Sequence, residues 1–137
     1  MSLVLDSSAT LAWVFLEERS AAVAEVFDRL IVAGGWVPSL WRLEVANVLE
    51  MGTRRGRIDA AFRDLTLADL ELLPIQTDMD TGKYAWGTTL RLAAKHRLTL
   101  YDAAYLELAT RRGLPLASLD RELRTAATAE NVVVLGE

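Results

Sequence analysis

Cysteine is absent from this chain of 137 residues, and histidine occurs once, at His96. Without thiols the protein can have no disulfide framework, no thiolate nucleophile and no thiolate zinc site. His96 lies in a basic segment, between Lys95 and Arg97. We do not expect it to be catalytic, and Ser–His–Asp and Cys–His arrangements have little support. Candidate reactive groups must therefore be sought among the carboxylates.

Proline and glycine are sparse and scattered, with three and eight residues respectively. They mark no linker or low-complexity segment, and the sequence has no internal repeat. No apolar run approaches the ~18 residues of a membrane span, and the first residues lack the basic start of a signal peptide. With 52% hydrophobic and 25% charged residues, the composition predicts one folded domain over residues 1–137, located in the cytoplasm and not in a membrane.

Positive charge is in deficit, since the net charge is −4 and the pI is near 5.1. Such a balance suits a basic protein partner better than nucleic acid. A nuclease, however, needs only a local basic rim around its site. Three clusters could supply a rim or could simply be solvated helix ends: Arg54, Arg55 and Arg57; Arg91, Lys95 and Arg97; Arg111 and Arg112.

Short apolar segments alternate with longer segments of helical periodicity. The predicted strands lie at 3–5, 36–37, 74–76, 114–117 and 132–135. The predicted helices lie at 9–17, 20–33, 39–52, 58–72, from 78 or 80 to 97, 101–112 and 121–129. This alternation predicts an α/β fold of three layers, with helices on both faces of a parallel sheet of about four to five short strands. In such sheets ligands bind beyond the carboxyl ends of the strands.

Four acidic residues fall where this fold could bring them to one cleft: Asp6, Glu44, Asp102 and Asp120. Asp6 and Asp120 directly follow predicted strands, while Glu44 and Asp102 lie in helices or turns that can lean over the same edge. Carboxylates that lie close together repel one another, and a bound divalent cation usually relieves this repulsion. Mg2+ prefers oxygen ligands and often meets phosphates. The pattern therefore indicates metal-assisted phosphodiester chemistry.

Each acid also has a structural explanation. Asp6 could accept bonds from turn amides, and Asp102 and Asp120 could each cap a helix. Glu44 is harder to explain in this way, because it lies in a largely apolar helix with Asn47 one turn on and on the same side. Buried polar groups need partners, and a metal cluster with its waters would supply them.

The serines next to these acids are better explained as supporting hydroxyls than as nucleophiles. Ser7 and Ser8 could hold Asp6, and Ser118 could hold Asp120 in the same way. Several aromatic residues follow helical spacing and predict core or interface packing, with stacking on RNA bases as the alternative for an exposed one: Trp13, Trp41, Tyr101 and Tyr105.

Four ordered blocks resemble those of a PIN domain. They are LVLDSS at 3–8, PSLWRLEVAN at 38–47, LTLYDAAYLELA at 98–109 and LPLASLD at 114–120. The similarity covers essentially the whole chain, and the length resembles that of VapC-type toxins of toxin–antitoxin pairs. The resemblance implies an endoribonuclease that depends on Mg2+ or Mn2+, is neutralised by a cognate antitoxin and forms a homodimer.

The resemblance also implies roles for individual residues. Asp6, Glu44, Asp102 and Asp120 would be the catalytic acids, with Asp6, Asp102 and Asp120 as metal ligands. The polar supports around them would be Ser7, Asn47 and Ser118, where Ser118 stands in place of a frequent threonine and keeps the hydroxyl.

Other functions compete with this interpretation. A receiver-type phosphoacceptor domain would need an adjacent acidic pair after the first strand and a lysine after a late strand. Here Asp6 is followed by serines, and the two lysines lie in a predicted helix. A catalytically silent domain that binds RNA or a partner would gain nothing from clustered carboxylates. An RNA-processing nuclease without an antitoxin would keep the same chemistry.

Overall fold

Five short strands form one parallel sheet in the computed structural model, which describes residues 1–137. The strands are β1 (Leu3–Leu5), β2 (Gly35–Pro38), β3 (Ile75–Asp78), β4 (Leu116–Ala117) and β5 (Val134–Leu135). Their order is β3-β2-β1-β4-β5. The chain moves outward from β1 to β3 and then returns to β4 on the other side of β1. The switch point of the sheet therefore lies between β1 and β4, where ligands of open α/β sheets bind.

Eight α-helices connect these strands and complete the predicted three-layer α/β/α architecture. They are α1 (Ser7–Val14), α2 (Ala21–Ala33), α3 (Trp41–Arg54), α4 (Ala60–Glu71), α5 (Thr81–Tyr84), α6 (Thr88–His96), α7 (Leu100–Arg112) and α8 (Arg121–Ala129), with a 3-10 turn at Leu16–Glu18. Most begin at a side chain that accepts a bond from a first-turn amide: Asp6, Ser20, Asp59, Thr99 and Asp120. None of the helices is long and apolar enough to cross a lipid bilayer.

The hydrophobic core surrounds β1 and the middle of α7. All three residues of β1 are fully buried, as expected for a central strand covered on both faces. Helix α7 is buried without interruption from Ala103 to Ala109 and packs against β1, β2 and β4. Because the middle of α7 is buried, its packing fixes where the first turn of this helix lies.

Two predicted helices differ in the structure. The helix predicted from Ser39 begins instead at Trp41, and Ser39 donates its backbone N–H to the Thr81 hydroxyl at 3.0 Å. The long helix predicted up to Arg97 is divided into α5 and α6. The break falls at Gly87, whose backbone (φ −113°, ψ −107°) lies outside the helical region.

Candidate active site

Asp6 ends β1 and begins α1, and it is almost completely buried. Its Oδ1 accepts hydrogen bonds from the Ser8 hydroxyl at 2.6 Å and the Ala9 N–H at 3.0 Å. Its Oδ2 accepts one from the Ser118 hydroxyl at 2.6 Å. Burial raises the pKa of Asp6, the three hydrogen bonds oppose this rise, and the charge of Asp120 adds to it. The structure thus holds a carboxylate in place without any cation beside it.

Serine hydroxyls join the ends of β1 and β4. Ser118 follows β4, donates to Asp6 and accepts the backbone N–H of Asp120 at 3.1 Å. Ser8 donates to Asp6 and accepts the backbone N–H of Leu119 at 2.9 Å. Asp120 in turn caps α8 by accepting the Leu123 N–H at 3.0 Å. Asp120 therefore caps α8 as predicted, and it also lies beside Asp6.

Asp102 lies in the first turn of α7 and does not cap this helix, because Thr99 does. Burial raises the pKa of Asp102, and the charges of Asp120, Asp6 and Glu122 add to the effect, while a hydrogen bond with Thr99 opposes it. The charges of both strand-end acids thus act on Asp102. A buried helix therefore carries this carboxylate to the switch point.

Glu44 lies in the first turn of α3 and is bonded to the core of α7. The Tyr105 hydroxyl donates to Glu44 Oε1 at 2.5 Å, and Tyr105 itself is almost fully buried. Burial raises the pKa of Glu44, and the charge of Asp102 adds to the rise, while the hydroxyls of Tyr105 and Ser7 oppose it. Ser7 thus supports Glu44, whereas Ser8 and Ser118 are the hydroxyls that support Asp6.

Helix α3 differs from the buried helix that its sequence suggested. Leu43 is 76% exposed, and Asn47 is exposed without a hydrogen bond to the chain. Apolar residues such as Val45 and Leu49 face the core, so the helix is amphipathic. Asn47 is therefore available to a ligand and is not a buried partner of Glu44.

A fifth acid, Glu122, was not among the predicted site residues. It lies in the first turn of α8 and its charge acts on Asp102. The sequence held two signals for Glu122: it lies two residues after Asp120, and a helix is predicted to begin there. Acids are common in first helical turns for dipole reasons alone, so this position did not stand out.

The donors at this edge are all oxygens, from carboxylates and hydroxyls. Burial is the main cause of the raised pKa values of Asp6 and Asp102, and the charge of Asp120 adds to both. No three acidic or histidine side chains converge closely enough in the structure to hold one ion between them. Hard divalent cations prefer such oxygen donors, and a bound cation would relieve the repulsion. The donor chemistry therefore fits a divalent cation.

Two features define the class of protein. One is a parallel sheet with this strand order, and the other is a set of acids at its switch point that follow β1 and β4 or lie in α3 and α7. The PIN-domain family matches residues 3–129, and the chain belongs to this family. It is 35% identical over 129 residues to the protein named Ribonuclease VapC3 from Pyrobaculum aerophilum, covering 90% of this chain and 92% of that protein. The crystal structure of PAE2754 from the same organism superposes with a TM-score of 0.71 at 26% identity, covering 98% of this chain and 83% of that one. The chain is thus a PIN-domain protein of the VapC type.

Proposed function

We propose that this protein is an endoribonuclease that depends on a divalent metal ion and acts as the toxin of a toxin–antitoxin pair. The observation that carries the proposal is the group of coupled carboxylates at the switch point of a PIN domain. Support comes from the 35% identity to a protein named as a VapC ribonuclease. A cluster of acids that form no ion pair within the chain suits a metal-assisted reaction better than a binding surface for RNA.

Asp6, Asp102 and Asp120 are the proposed ligands of Mg2+ or Mn2+. When bound, a divalent ion polarises the scissile phosphate, lowers the pKa of the attacking water and stabilises the leaving oxygen. Ser8 and Ser118 orient one of these ligands, Asp6, in advance. Preformed geometry of this kind lowers the reorganisation needed in the reaction.

Glu44 is the proposed residue that orients the attacking water and accepts its proton. Its Oε1 accepts the Tyr105 hydroxyl, a carboxylate can accept further hydrogen bonds, and its raised pKa brings the group closer to that of an effective base. Attack by water with departure of the 3′ oxygen would leave a 5′-phosphate and a 3′-hydroxyl. Asn47 is exposed one turn further along α3 and is the proposed polar contact to the substrate.

The proposed partners are RNA, a cognate antitoxin and a second copy of the chain, all in the cytoplasm. The net charge of −4 favours an antitoxin that brings a basic segment to the acidic edge. Exposed apolar side chains on α2 and α3, among them Val32 and Leu43, supply surface suited to a homodimer interface.

The test is cleavage of a mixed pool of tRNA and ribosomal RNA by the purified chain with Mn2+, with Mg2+ or with EDTA. The matched variants are Asp6→Asn and Asp102→Asn. Asp102→Asn is the cleaner of the two, because Asp6 accepts three hydrogen bonds and an amide at that position would oppose at least one donor. We expect discrete cuts that require the metal and are lost in both variants.

The control is Glu50→Gln, which removes a carboxylate that pairs with Arg54 on the outer surface of α3. This variant should cut like the wild type. Equal cleavage by folded Asp102→Asn protein would contradict the assignment of the site, and cleavage that persists in EDTA would contradict the dependence on a metal ion.

A further inference from the structure

Most of the fifteen lysine and arginine side chains are engaged in hydrogen bonds or ion pairs. The exceptions are Arg55, Lys83, Arg97 and Arg121. Two of these unpaired cations flank the acidic edge along the chain. Arg121 directly follows Asp120, and Arg97 precedes Asp102 by five residues, a separation of at most ~17 Å between Cα atoms. Two exposed cations without an ion pair thus lie close in sequence to the acids of the site.

Arg97 also occupies an unfavourable backbone conformation. It ends α6 in the left-handed region, with φ 57° and ψ 42°. The equivalent residue at the end of α7 is Gly113, with φ 64° and ψ 37°, and glycine adopts this conformation without steric cost. Arginine is strained in this conformation, and the exposed Arg97 side chain has no hydrogen-bond or ion-pair partner within the chain. Strain of this kind points to a contact with another molecule.

Tyr101 is a large aromatic residue left in solvent next to the site. It is 65% exposed, its hydroxyl has no hydrogen-bond partner, and it directly precedes Asp102 in the first turn of α7. Tyr105, one turn later, has the opposite character, since it is buried and bonded to Glu44. The Tyr101 ring is therefore largely outside the core and lies in solvent in the same helical turn as Asp102.

We propose that Arg97, Tyr101 and Arg121 form the contact surface for the RNA chain around the acidic edge. Arg97 and Arg121 each bind a backbone phosphate on one side of the scissile bond, and Tyr101 stacks on an unpaired base next to it. Aromatic rings and arginines are the side chains that hold single-stranded RNA. The two cations also offset the repulsion between the phosphates and the carboxylates. This inference rests on the proposed ribonuclease function.

The first experiment separates a structural role of Arg97 from a role in binding. Arg97→Gly relieves the strained backbone, so its melting temperature should equal or exceed that of the wild type. Cleavage of RNA should nevertheless fall, and Arg97→Lys should restore part of it by keeping the charge. The control is Asn131→Gly, at the other non-glycine residue with positive φ (61°), beyond the opposite end of α8 from Asp120. It should cleave RNA normally.

The second experiment measures binding of a fluorescent single-stranded RNA oligonucleotide across a salt series with Mg2+ present. The parent protein is Asp102→Asn, which should not cut the probe. Arg97→Gly and Arg121→Gln, made in that parent, should each reduce the slope of log K against log salt by about 0.7, the value for one phosphate contact on a single strand. Tyr101→Ala should weaken binding roughly 5- to 150-fold, and Tyr101→Phe should bind like the parent.

The outcomes separate this inference from the proposed function. If the wild type cuts RNA and the Arg97→Gly and Tyr101→Ala variants bind and cut equally well, the inference is wrong and the function stands. If the wild type does not cut RNA but binding depends on these residues, the proposed function fails and the contact surface stands. A parent protein that binds no single-stranded RNA would overturn the inference as well.

Discussion

Asp6 and Asp78 are both buried carboxylates that follow a strand at the same edge of the sheet, but their partners differ. Asp6 is held by two hydroxyls and one amide. Asp78 receives two bonds from the Arg111 guanidinium, at 2.6 and 3.2 Å, and one from Arg112 at 3.4 Å. The charge of Asp78 is therefore compensated within the chain, whereas that of Asp6 remains for an external cation. The partners of a buried acid, more than its burial, therefore decide whether its charge is compensated within the chain or is left for an external cation.

The same contrast predicts opposite effects of two substitutions in metal-free protein. The pKa of Asp102 is raised by burial and by neighbouring acids. Its contribution to stability is present below its unfolded pKa, near 3.8, and is lost as the pH rises through the folded value. At pH 7 Asp102→Asn should therefore raise the unfolding free energy, by on the order of 1 kcal/mol, because solvent screens this half-exposed group.

For Asp78 burial raises the pKa, but the hydrogen bonds and charges of Arg111 and Arg112 outweigh it, so the pKa is lowered. Its stabilising contribution is present above the unfolded pKa and is lost as the pH falls through the folded value. Asp78→Asn should lower the unfolding free energy at pH 7 by roughly 3 kcal/mol. Urea denaturation in EDTA at several pH values measures both variants. The effects should shrink toward acid pH, and effects of equal sign at pH 7 would contradict the assignment.

At the scale of elements, Arg111 joins three parts of the fold. From α7 it bonds Glu107 at 2.7 Å and Asp78 at the end of β3 at 2.6 Å, and it stacks on Tyr84 of α5 at 4.5 Å from the ring centroid. Both carboxylates are almost fully buried. The network therefore fixes the segment after β3 to the helix whose other end carries Asp102.

Arg111→Ala would leave two buried carboxylates without their main partner, so we expect a loss of roughly 3 to 5 kcal/mol in unfolding free energy. Arg111→Lys should recover only part of this loss, since an ammonium cannot bond both carboxylates in the planar geometry of a guanidinium. The control is Arg54→Ala at an exposed ion pair on α3, which should unfold close to the wild-type midpoint. Similar midpoints for both alanine variants would show that the network does not stabilise the fold.

The elements were predicted well where local signals are strong. The segment 121–129 was predicted as a helix and forms α8 with these bounds, because Asp120 caps it and apolar residues repeat at helical spacing. The break between α5 and α6 was missed although the predicted helix contains Gly82 and Gly87, because an isolated glycine inside a helical pattern is a weak signal. Ser39 has the composition of a cap, but its backbone N–H is bonded to Thr81, forty-two residues away. Such a contact depends on tertiary packing that no local pattern encodes.

At the scale of the whole molecule, the fold was predictable because alternating strands and helices leave few topologies open. The sequence predicted that Asp6 and Asp120 follow strands, and in the structure Asp6 is hydrogen-bonded to Ser118, which follows β4. The partners of these acids were less predictable. The bond from Tyr105 to Glu44 links residues 61 positions apart, and the sequence had predicted packing for Tyr105, with base stacking as the alternative. Burial explains the ring, but only the assembled fold shows where its hydroxyl points.

The acids of the site make the stability of the whole molecule depend on metal and pH together. A cation that binds the folded chain raises the unfolding free energy by about 2.7 kcal/mol when its concentration is a hundred times the Kd. We therefore expect Mn2+ to raise the melting temperature at pH 7.5. Ligand carboxylates must be ionised to bind, and those of Asp6 and Asp102 have raised pKa values. The increase should thus shrink as the pH falls toward 5.

Thermal unfolding with Mn2+ and with EDTA, at both pH values, measures this linkage. Asp102→Asn should show little stabilisation by Mn2+, because one ligand is lost, even though its metal-free form is more stable than the wild type. Asp78→Asn is the matched control, since it removes a buried carboxylate that is already paired with Arg111, and it should keep the wild-type response to Mn2+. If Mn2+ stabilised wild-type and Asp102→Asn protein equally, the metal would bind elsewhere. The repulsion at the switch point would then have to be relieved by something other than a bound cation.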